Sequence, residues 1–277
     1  MDRTKILSGG LLVLIITPCF FLLPLNILTS LISIIVGLSS WEFFKLRFSF
    51  EISLLLSLIL FFSLIYLSFG VGFQLTVSSI GILLWIILAL LILGFPHNKN
   101  ILQNNFFWVF SGFFIHISFC TSIFLILNHS DPLLESIGIG LSPRATLVFL
   151  IGLSASMDSL AYFGGKKFGK TKFLPNISPN KTLEGFIIAV LGTPFLVMLI
   201  LSLFYEYSFF KVLVIILIVS IFSVLGDATA SLFKRISGVK DSSNLIPGHG
   251  GIFDRIDSHL AAAPCFVLIA FIINGIQ

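Results

Sequence analysis

Charged side chains are scarce in this chain of 277 residues. Asp, Glu, Lys and Arg make up 10% of the sequence, whereas 57% is hydrophobic and the mean hydropathy is +1.12. A soluble domain carries about 25% charged residues, so this composition excludes one. Uncharged apolar runs recur along the chain without alternating polar positions, which favours membrane-spanning helices over a transmembrane barrel. We therefore expect an all-α, polytopic transmembrane helical protein.

Cysteine is also sparse. Cys19, Cys120 and Cys265 lie far apart, each within an apolar run. This spacing excludes a paired-cysteine metal site and a disulfide framework. We interpret all three as small core residues.

Hydropathy windows of about 19 residues predict about nine membrane spans. They lie at residues 6–23, 26–41, 52–69, 78–95, 107–127, 145–163, 185–204, 209–226 and 259–275. We divide the chain into an N-terminal membrane region of about five spans, 1–144, and a C-terminal catalytic membrane region of about four spans, 145–277.

The basic residues predict an orientation. With the N-terminus inside, every Lys and Arg except Arg144 and Lys211 falls on the inner side. Such a bias indicates that the basic loops are cytoplasmic and that the C-terminus lies outside. We expect an integral multi-pass protein of the cytoplasmic or inner membrane.

The first polar stretch begins at Asp158 and contains a match to the phosphate-binding P-loop pattern at 164–171. A P-loop needs a buried strand before it and a helix after it in a soluble βαβ unit. Here a membrane span precedes the match and Pro175 follows it, so we reject the P-loop. The lysines of this stretch could still bind phosphates as point charges.

The residues from Ser178 to Glu184 resemble a helix start, with Ser178 as N-cap and Pro179 at the first helical position; Thr182 is an alternative cap. A helix N-terminus suits an anion. The sequence leaves open whether these residues bind a ligand or merely begin the seventh span.

The second polar stretch, 227–259, is more informative. Asp227 ends an apolar span, where an ionisable group is costly unless it has a partner. By helical spacing Asp227, Ser231 and Lys234 share one face, and Asp254 and Asp257 share another. Paired carboxylates are most simply stabilised by a cation, and hard oxygen ligands favour Mg²⁺ over zinc.

The segment from Pro247 to Gly251 contains one Pro and three Gly, which predicts a tight turn. Its glycines, Gly250 and Gly251 among them, would let the backbone approach a ligand closely. We interpret His249 as a substrate contact, with a turn-stabilising role as the alternative.

From Ser231 to Asp257 the sequence closely resembles the signature of the phosphatidate cytidylyltransferases, also called CDP-diacylglycerol synthases. The matching positions are Ser231, Lys234, Arg235, Lys240, Asp241, Pro247, Gly248, His249, Gly250, Gly251, Asp254, Arg255 and Asp257. Residues 158–166 and 178–185 resemble two further elements of that family.

The resemblance implies that CTP and phosphatidic acid react to give CDP-diacylglycerol and pyrophosphate, for phospholipid biosynthesis. It implies a requirement for Mg²⁺, with K⁺ as a possible second ion, and a funnel between the C-terminal helices that opens to the cytoplasm. Carried over by position, Asp227, Asp254 and Asp257 would hold the metal and act in catalysis with Lys234, Arg235 and Lys240. The substrate-binding residues would be Asp158, Ser178, Lys181, Ser231, Asp241, His249, Gly250, Gly251 and Arg255. We expect a lipid bilayer around the protein, a homodimer by family analogy, and no nucleic-acid partner.

Two other functions would share some of these sequence features. An ion-coupled transporter would also place acidic residues near helix breaks, but it usually shows internal repeats and midplane charges. A CTP-dependent kinase of the polyprenol or phytol type would share the membrane fold and the basic loops. The long signature in the second polar stretch argues against both.

Overall fold

The computed structural model describes residues 20–66, 70–135, 139–246, 248 and 250–275. Most of the predicted first span, 6–23, lies outside these ranges. Pro247 and His249 of the predicted turn, together with Cys19, also lie outside them.

The described chain is almost entirely helical. Its elements are α1 (Leu25–Lys45), α2 (Phe50–Tyr66), α3 (Val71–Leu93), α4 (Lys99–Leu102), α5 (Asn105–Glu135), α6 (Pro143–Phe168), β1 (Lys172–Leu174), β2 (Ser178–Thr182), α7 (Leu183–Leu201), α8 (Phe209–Ile236) and α9 (Phe253–Gly275). Seven described helices are long and apolar enough to cross a membrane, and α2 contains a shorter apolar segment. The all-α polytopic membrane fold is confirmed, and the predicted spans from 26–41 to 259–275 each overlap one of these helices over their described residues.

Two helices extend well beyond their predicted spans. The span 209–226 is the apolar part of α8, which continues to Ile236, and the span 259–275 belongs to α9, which begins at Phe253. A hydropathy window stops at the first charges, whereas helical backbone continues wherever polar side chains find partners. The two extensions carry Asp227, Lys234 and Asp254 beyond the predicted apolar spans of these helices.

A two-stranded antiparallel hairpin joins α6 to α7, and it corrects one prediction. Ser178 lies in β2, which pairs with β1, so its predicted role as a helix N-cap is wrong. The alternative cap is confirmed, because Thr182 Oγ1 accepts a hydrogen bond from Gly185 N at 3.3 Å. Strand pairing holds Ser178 in extended backbone and delays the helix by four residues. Residues 164–168 are the last turn of α6, which confirms the rejection of a P-loop.

A buried aromatic cluster joins the N-terminal and C-terminal helices. The Phe43 ring of α1 packs against Trp108 of α5, Phe233 of α8 and Phe253 of α9, with centroid distances of 5.3, 4.9 and 5.5 Å. His116 contacts the rings of Phe43 and Phe253, and its imidazole is hydrogen-bonded to Ser39 Oγ and to the Gly112 carbonyl. Residues from both halves of the chain therefore share one core.

Contacts between loops show which helix ends lie together. Arg47, after α1, donates to Asn105 Oδ1 at 2.9 Å and to the Gln103 carbonyl at 2.6 Å. At the opposite ends of the helices, Arg144 donates to the Leu23 carbonyl at 2.7 Å. The loops that contain the two polar stretches lie at the Arg47 end, where most of the described basic residues are found.

Candidate active site

A close helix crossing places Asp227 beside Asp257. Gly226 of α8 packs directly on the Asp257 carbonyl of α9, and a methyl group at position 226 would overlap that oxygen and lie 3.0 Å from Ser258 Cα. Only glycine fits this crossing without moving a helix backbone. Asp227, which follows Gly226, therefore lies beside the first two turns of α9.

The hairpin supplies a cation to Asp227. Lys181 Nζ of β2 lies 2.5 Å from Asp227 Oδ2, and Ser231 Oγ, one turn further along α8, donates to Asp227 Oδ1 at 3.5 Å. The two side chains are each about one-quarter exposed, although Lys181 Nζ itself is buried against the carboxylate. The structure thus unites residues from the two polar stretches, which the sequence predicted only separately.

A pocket of about 270 Å³ opens beside this ion pair. Its polar lining comes from Asp158, Asn180, Lys181, Thr182 and Asp227, and its apolar lining from Ala161, Tyr162, Gly165, Phe173, Phe186 and Val224. The rings of Phe173 and Phe186 stack at 4.7 Å with an interplanar angle of 11°. The lining of the pocket therefore combines charged side chains with stacked aromatic rings.

A second close crossing shapes the pocket from the other side. A Cβ at Gly185 of α7 would lie 2.6 Å from the Ala161 carbonyl and 2.9 Å from Gly165 Cα of α6. These glycines bring α6 and α7 together below the hairpin. Glu184, next to Gly185, accepts hydrogen bonds from Lys170 N at 3.0 Å and from Thr171 N at 3.1 Å, which fastens the start of the hairpin to α7.

Asp254 lies in a dense network. Its Oδ1 is 2.5 Å from Lys234 Nζ, and both groups are at least nine-tenths buried. Its Oδ2 accepts from Ser242 N at 2.8 Å, Ser242 Oγ at 2.9 Å and Gly251 N at 3.0 Å. Both carboxylate oxygens are thus engaged in holding Lys234 and the loop before α9.

Asp227 is held by Lys181 and by one long contact from Ser231, which engages it less than Asp254, so Asp227 and Asp257 are the better match to a hard cation. The negative charges of Asp227 and Asp158 both act on Asp257, while Lys234 opposes them. In the described part of the chain, no three His, Cys, Asp or Glu side chains are arranged to hold a metal. Mg²⁺ is commonly bound by one or two carboxylates, with water and substrate phosphates completing its shell. Asp227 and Asp257 fit such a partial site.

The other predicted residues are dispersed around this centre. Arg235 donates to the Ile177 carbonyl at 3.0 Å and to the Val239 carbonyl at 3.2 Å, so it ties the hairpin turn to the end of α8. Lys240, Asp241 and Arg255 are exposed on the same end of the molecule. Their roles toward substrate stay predictions.

The predicted tight turn is confirmed as far as it is described. Gly248 and Gly250 have φ of 76° and 78°, a region that favours glycine, and Ile246 bridges to Gly250. Gly251 is buried where a side chain would overlap Ser242 Oγ and a carboxylate of α1. The predicted substrate contact of His249 lies outside the described residues.

Sequence reasoning assigned no role to that carboxylate, Glu42. It is fully buried and accepts hydrogen bonds from Ser243 Oγ at 2.6 Å, Phe253 N at 2.7 Å and Ser242 Oγ at 3.1 Å. The signal available was the same one that singled out Asp227, an acidic residue at the end of an apolar run.

Comparison with known proteins adds to this geometry. The sequence model of the Cytidylyltransferase family matches residues 3–273. A phosphatidate cytidylyltransferase of Pseudomonas aeruginosa is 30% identical over 279 aligned residues, which cover 97% of each chain.

Two further relatives match more strongly over shorter segments. Phosphatidate cytidylyltransferases of Haemophilus influenzae and Bacillus subtilis are 42% and 50% identical over 132 and 114 residues. These alignments span 46% and 39% of this chain and less than half of each relative, 46% and 41%.

Proposed function

This chain belongs to the cytidylyltransferase family, and from that premise we propose that it transfers the cytidylyl group of CTP to phosphatidic acid, releasing pyrophosphate and forming CDP-diacylglycerol. The observation that carries the proposal is the apposition of Asp227 and Asp257 beside two lysines, Lys181 and Lys234, at one end of a membrane-helix bundle.

The chemistry needs few specialised groups. A phosphate oxygen of phosphatidic acid attacks the α-phosphorus of CTP, the bond to the β-phosphate breaks, and pyrophosphate leaves. The phosphate monoester is already largely ionised near pH 7, so no strong base is required. Both substrates are polyanions, and fixed cations that bring them together stabilise the charge of the transition state. We assign this role to Lys181 and Lys234.

We assign Asp227 and Asp257 to Mg²⁺, with Asp158 at the edge of the same site. The ion would neutralise phosphate charge and align the two substrates. Asp254 was predicted as a third ligand, and its four contacts support a role in setting Lys234 and the loop 240–251. The predicted K⁺ remains a further expectation.

The pocket supports the location of the reaction. Its charged lining suits phosphates, whereas Tyr162, Phe186 and Val224 give it an apolar side that suits a lipid. A lipid phosphate could therefore enter laterally while the nucleotide enters from water. We propose that this end of the molecule faces the cytoplasm, where CTP is found, which the concentration of basic residues there supports.

The test is a transfer assay with purified protein, phosphatidic acid, Mg²⁺ and CTP labelled at the α- or γ-phosphate. We expect lipid-soluble label from α-labelled CTP only, together with equimolar pyrophosphate. Label from the γ-phosphate would instead identify a lipid kinase, and no transfer beside an active control enzyme would refute the proposal.

The matched variants are Asp227→Asn and Glu206→Gln. Asp227→Asn should lower kcat/KM by about 100-fold or more, because it removes charge that the reaction needs. Glu206 is an exposed acid at the opposite end of the molecule, and its substitution should leave turnover unchanged. Equal activity of the Asp227 variant and wild type would contradict the assignment of the site.

A further inference from the structure

A fully buried carboxylate from the N-terminal region reaches the C-terminal site. Glu42 lies in the last turn of α1 with 0% of its surface exposed. Its Oε2 accepts from Phe253 N at 2.7 Å and from Ser242 Oγ at 3.1 Å, and its Oε1 accepts from Ser243 Oγ at 2.6 Å. These donors belong to the loop before α9 and to the first residue of α9.

The position of these donors matters because Ser242 also contacts Asp254. Ser242 Oγ lies 2.9 Å from Asp254 Oδ2, and Asp254 Oδ1 lies 2.5 Å from Lys234 Nζ. A hydroxyl has a single proton to donate, so Ser242 Oγ shares it between the Glu42 and Asp254 carboxylates. A continuous polar chain thus runs from Glu42 through Ser242 and Asp254 to Lys234.

The residues packed around this series of polar groups restrict its movement. Gly251 packs so closely on Glu42 and Ser242 that a methyl group there would overlap both side chains. On the other side, the neighbouring residue Phe43 is locked between Phe233 and Phe253. Glu42 is therefore held by α1 packing and in turn holds the loop.

We propose that Glu42 is a positioning residue for nucleotide binding. It fixes the loop 240–251 and the first turn of α9, so that Lys234 stays directed by Asp254 toward the phosphates of the nucleoside triphosphate. The three donors to Glu42 belong to the loop and to α9, so it acts through these neighbours and is assigned no contact with the reacting atoms. The inference rests on the proposed function for its consequence in catalysis, but its structural part does not.

The first measurement is steady-state kinetics of Glu42→Ala and Glu42→Gln, with each substrate varied in turn. We expect Glu42→Ala to raise the KM for CTP about 10-fold or more, the equivalent of one hydrogen bond to a charged group, and to leave the KM for phosphatidic acid within about twofold. Glu42→Gln should be intermediate, because its amide oxygen can still accept from Phe253 N and its N–H₂ can donate to Ser243 Oγ.

The control is Glu51→Gln. Glu51 is an exposed acid near the start of α2, at the same end of the molecule, and its removal should change neither KM. If Glu42→Ala lowers kcat and thermal stability while both KM values stay at the wild-type level, Glu42 is only structural and the proposal is overturned.

A second measurement does not depend on turnover. Hydrogen exchange of the purified proteins should show faster exchange in peptides covering residues 240–253 of Glu42→Ala and Glu42→Gln, with unchanged exchange in α3. Unchanged exchange in 240–253 would refute the positioning role. If wild type failed to transfer cytidylyl groups, the proposed function would fall, and the exchange result would still decide whether Glu42 holds the loop.

Discussion

Gly226 is the residue on which the apposition of the two central carboxylates depends. Its Cα packs on the Asp257 carbonyl, so any side chain must push α8 and α9 apart. We expect Gly226→Ala to lower kcat by about 100-fold, because misplacing reacting groups by about 1 Å can cost that much.

Gly152 offers a matched control for this substitution. It lies on an exposed face of α6 and has open space where a Cβ would be added. Gly152→Ala should retain wild-type activity and, by removing a glycine from a helix, should not lower thermal stability. If Gly226→Ala and Gly152→Ala behaved alike in the transfer assay, the close crossing would not control the site.

Single residues also show how far sequence reasoning reaches. Helical spacing correctly placed Asp227 and Ser231 on one face of a helix, and the glycine content correctly predicted the turn near Gly250. The choice of partners could not be predicted, because Lys181 and Asp227 come from different elements and Glu42 is 200 residues from Ser242. Such pairs are decided by packing between helices, on which spacing along one helix carries no information.

At the scale of elements, the position of the hairpin determines where Lys181 meets α8. Glu184 fastens the hairpin start through Lys170 N and Thr171 N, and Arg235 fastens its turn through the Ile177 carbonyl. These hydrogen bonds act together with the apolar contacts of Leu174 and Ile177, which are buried in one cluster with residues of α8.

We therefore expect Glu184→Ala to lower kcat/KM roughly 3- to 10-fold by loosening the hairpin. The effect should act through Lys181, so Glu184→Ala should add little to the loss caused by Lys181→Ala. A double-mutant cycle measures this coupling. Fully additive losses would mean that Glu184 does not position Lys181.

The hairpin was also the element that hydropathy described least well. Its residues are polar and rich in Pro, Asn and Lys, and the sequence from Ser178 onward read as a helix start. The true start is at Leu183, because pairing with β1 keeps Ser178–Thr182 extended. The membrane helices, in contrast, were predicted from their length and apolar content alone, since both are imposed by the bilayer.

For the whole molecule, the testable property is its orientation. The end that contains Asp227 also contains most of the described basic residues, whereas Arg144 and Lys211 lie at the other end. The positive-inside bias predicts that the candidate site faces the cytoplasm.

Cysteine labelling checks this prediction in a background from which Cys19, Cys120 and Cys265 have been removed. Val239→Cys and Phe204→Cys place exposed thiols at opposite ends of the molecule. In intact cells a membrane-impermeant maleimide should label position 204 and should reach position 239 only after lysis. The reverse pattern would invert the proposed orientation.

The contact between Glu42 and Phe253 also has a consequence for the timing of synthesis. The two residues are 211 positions apart, so at roughly 5–20 residues per second the ribosome needs on the order of 10–40 s to produce the partner of Glu42. During that interval α1 is already made but its carboxylate lacks the three donors it will accept from. The candidate site can therefore assemble only after the start of α9 has been translated, and a nascent chain stalled before α9 would be inserted in the membrane without that site.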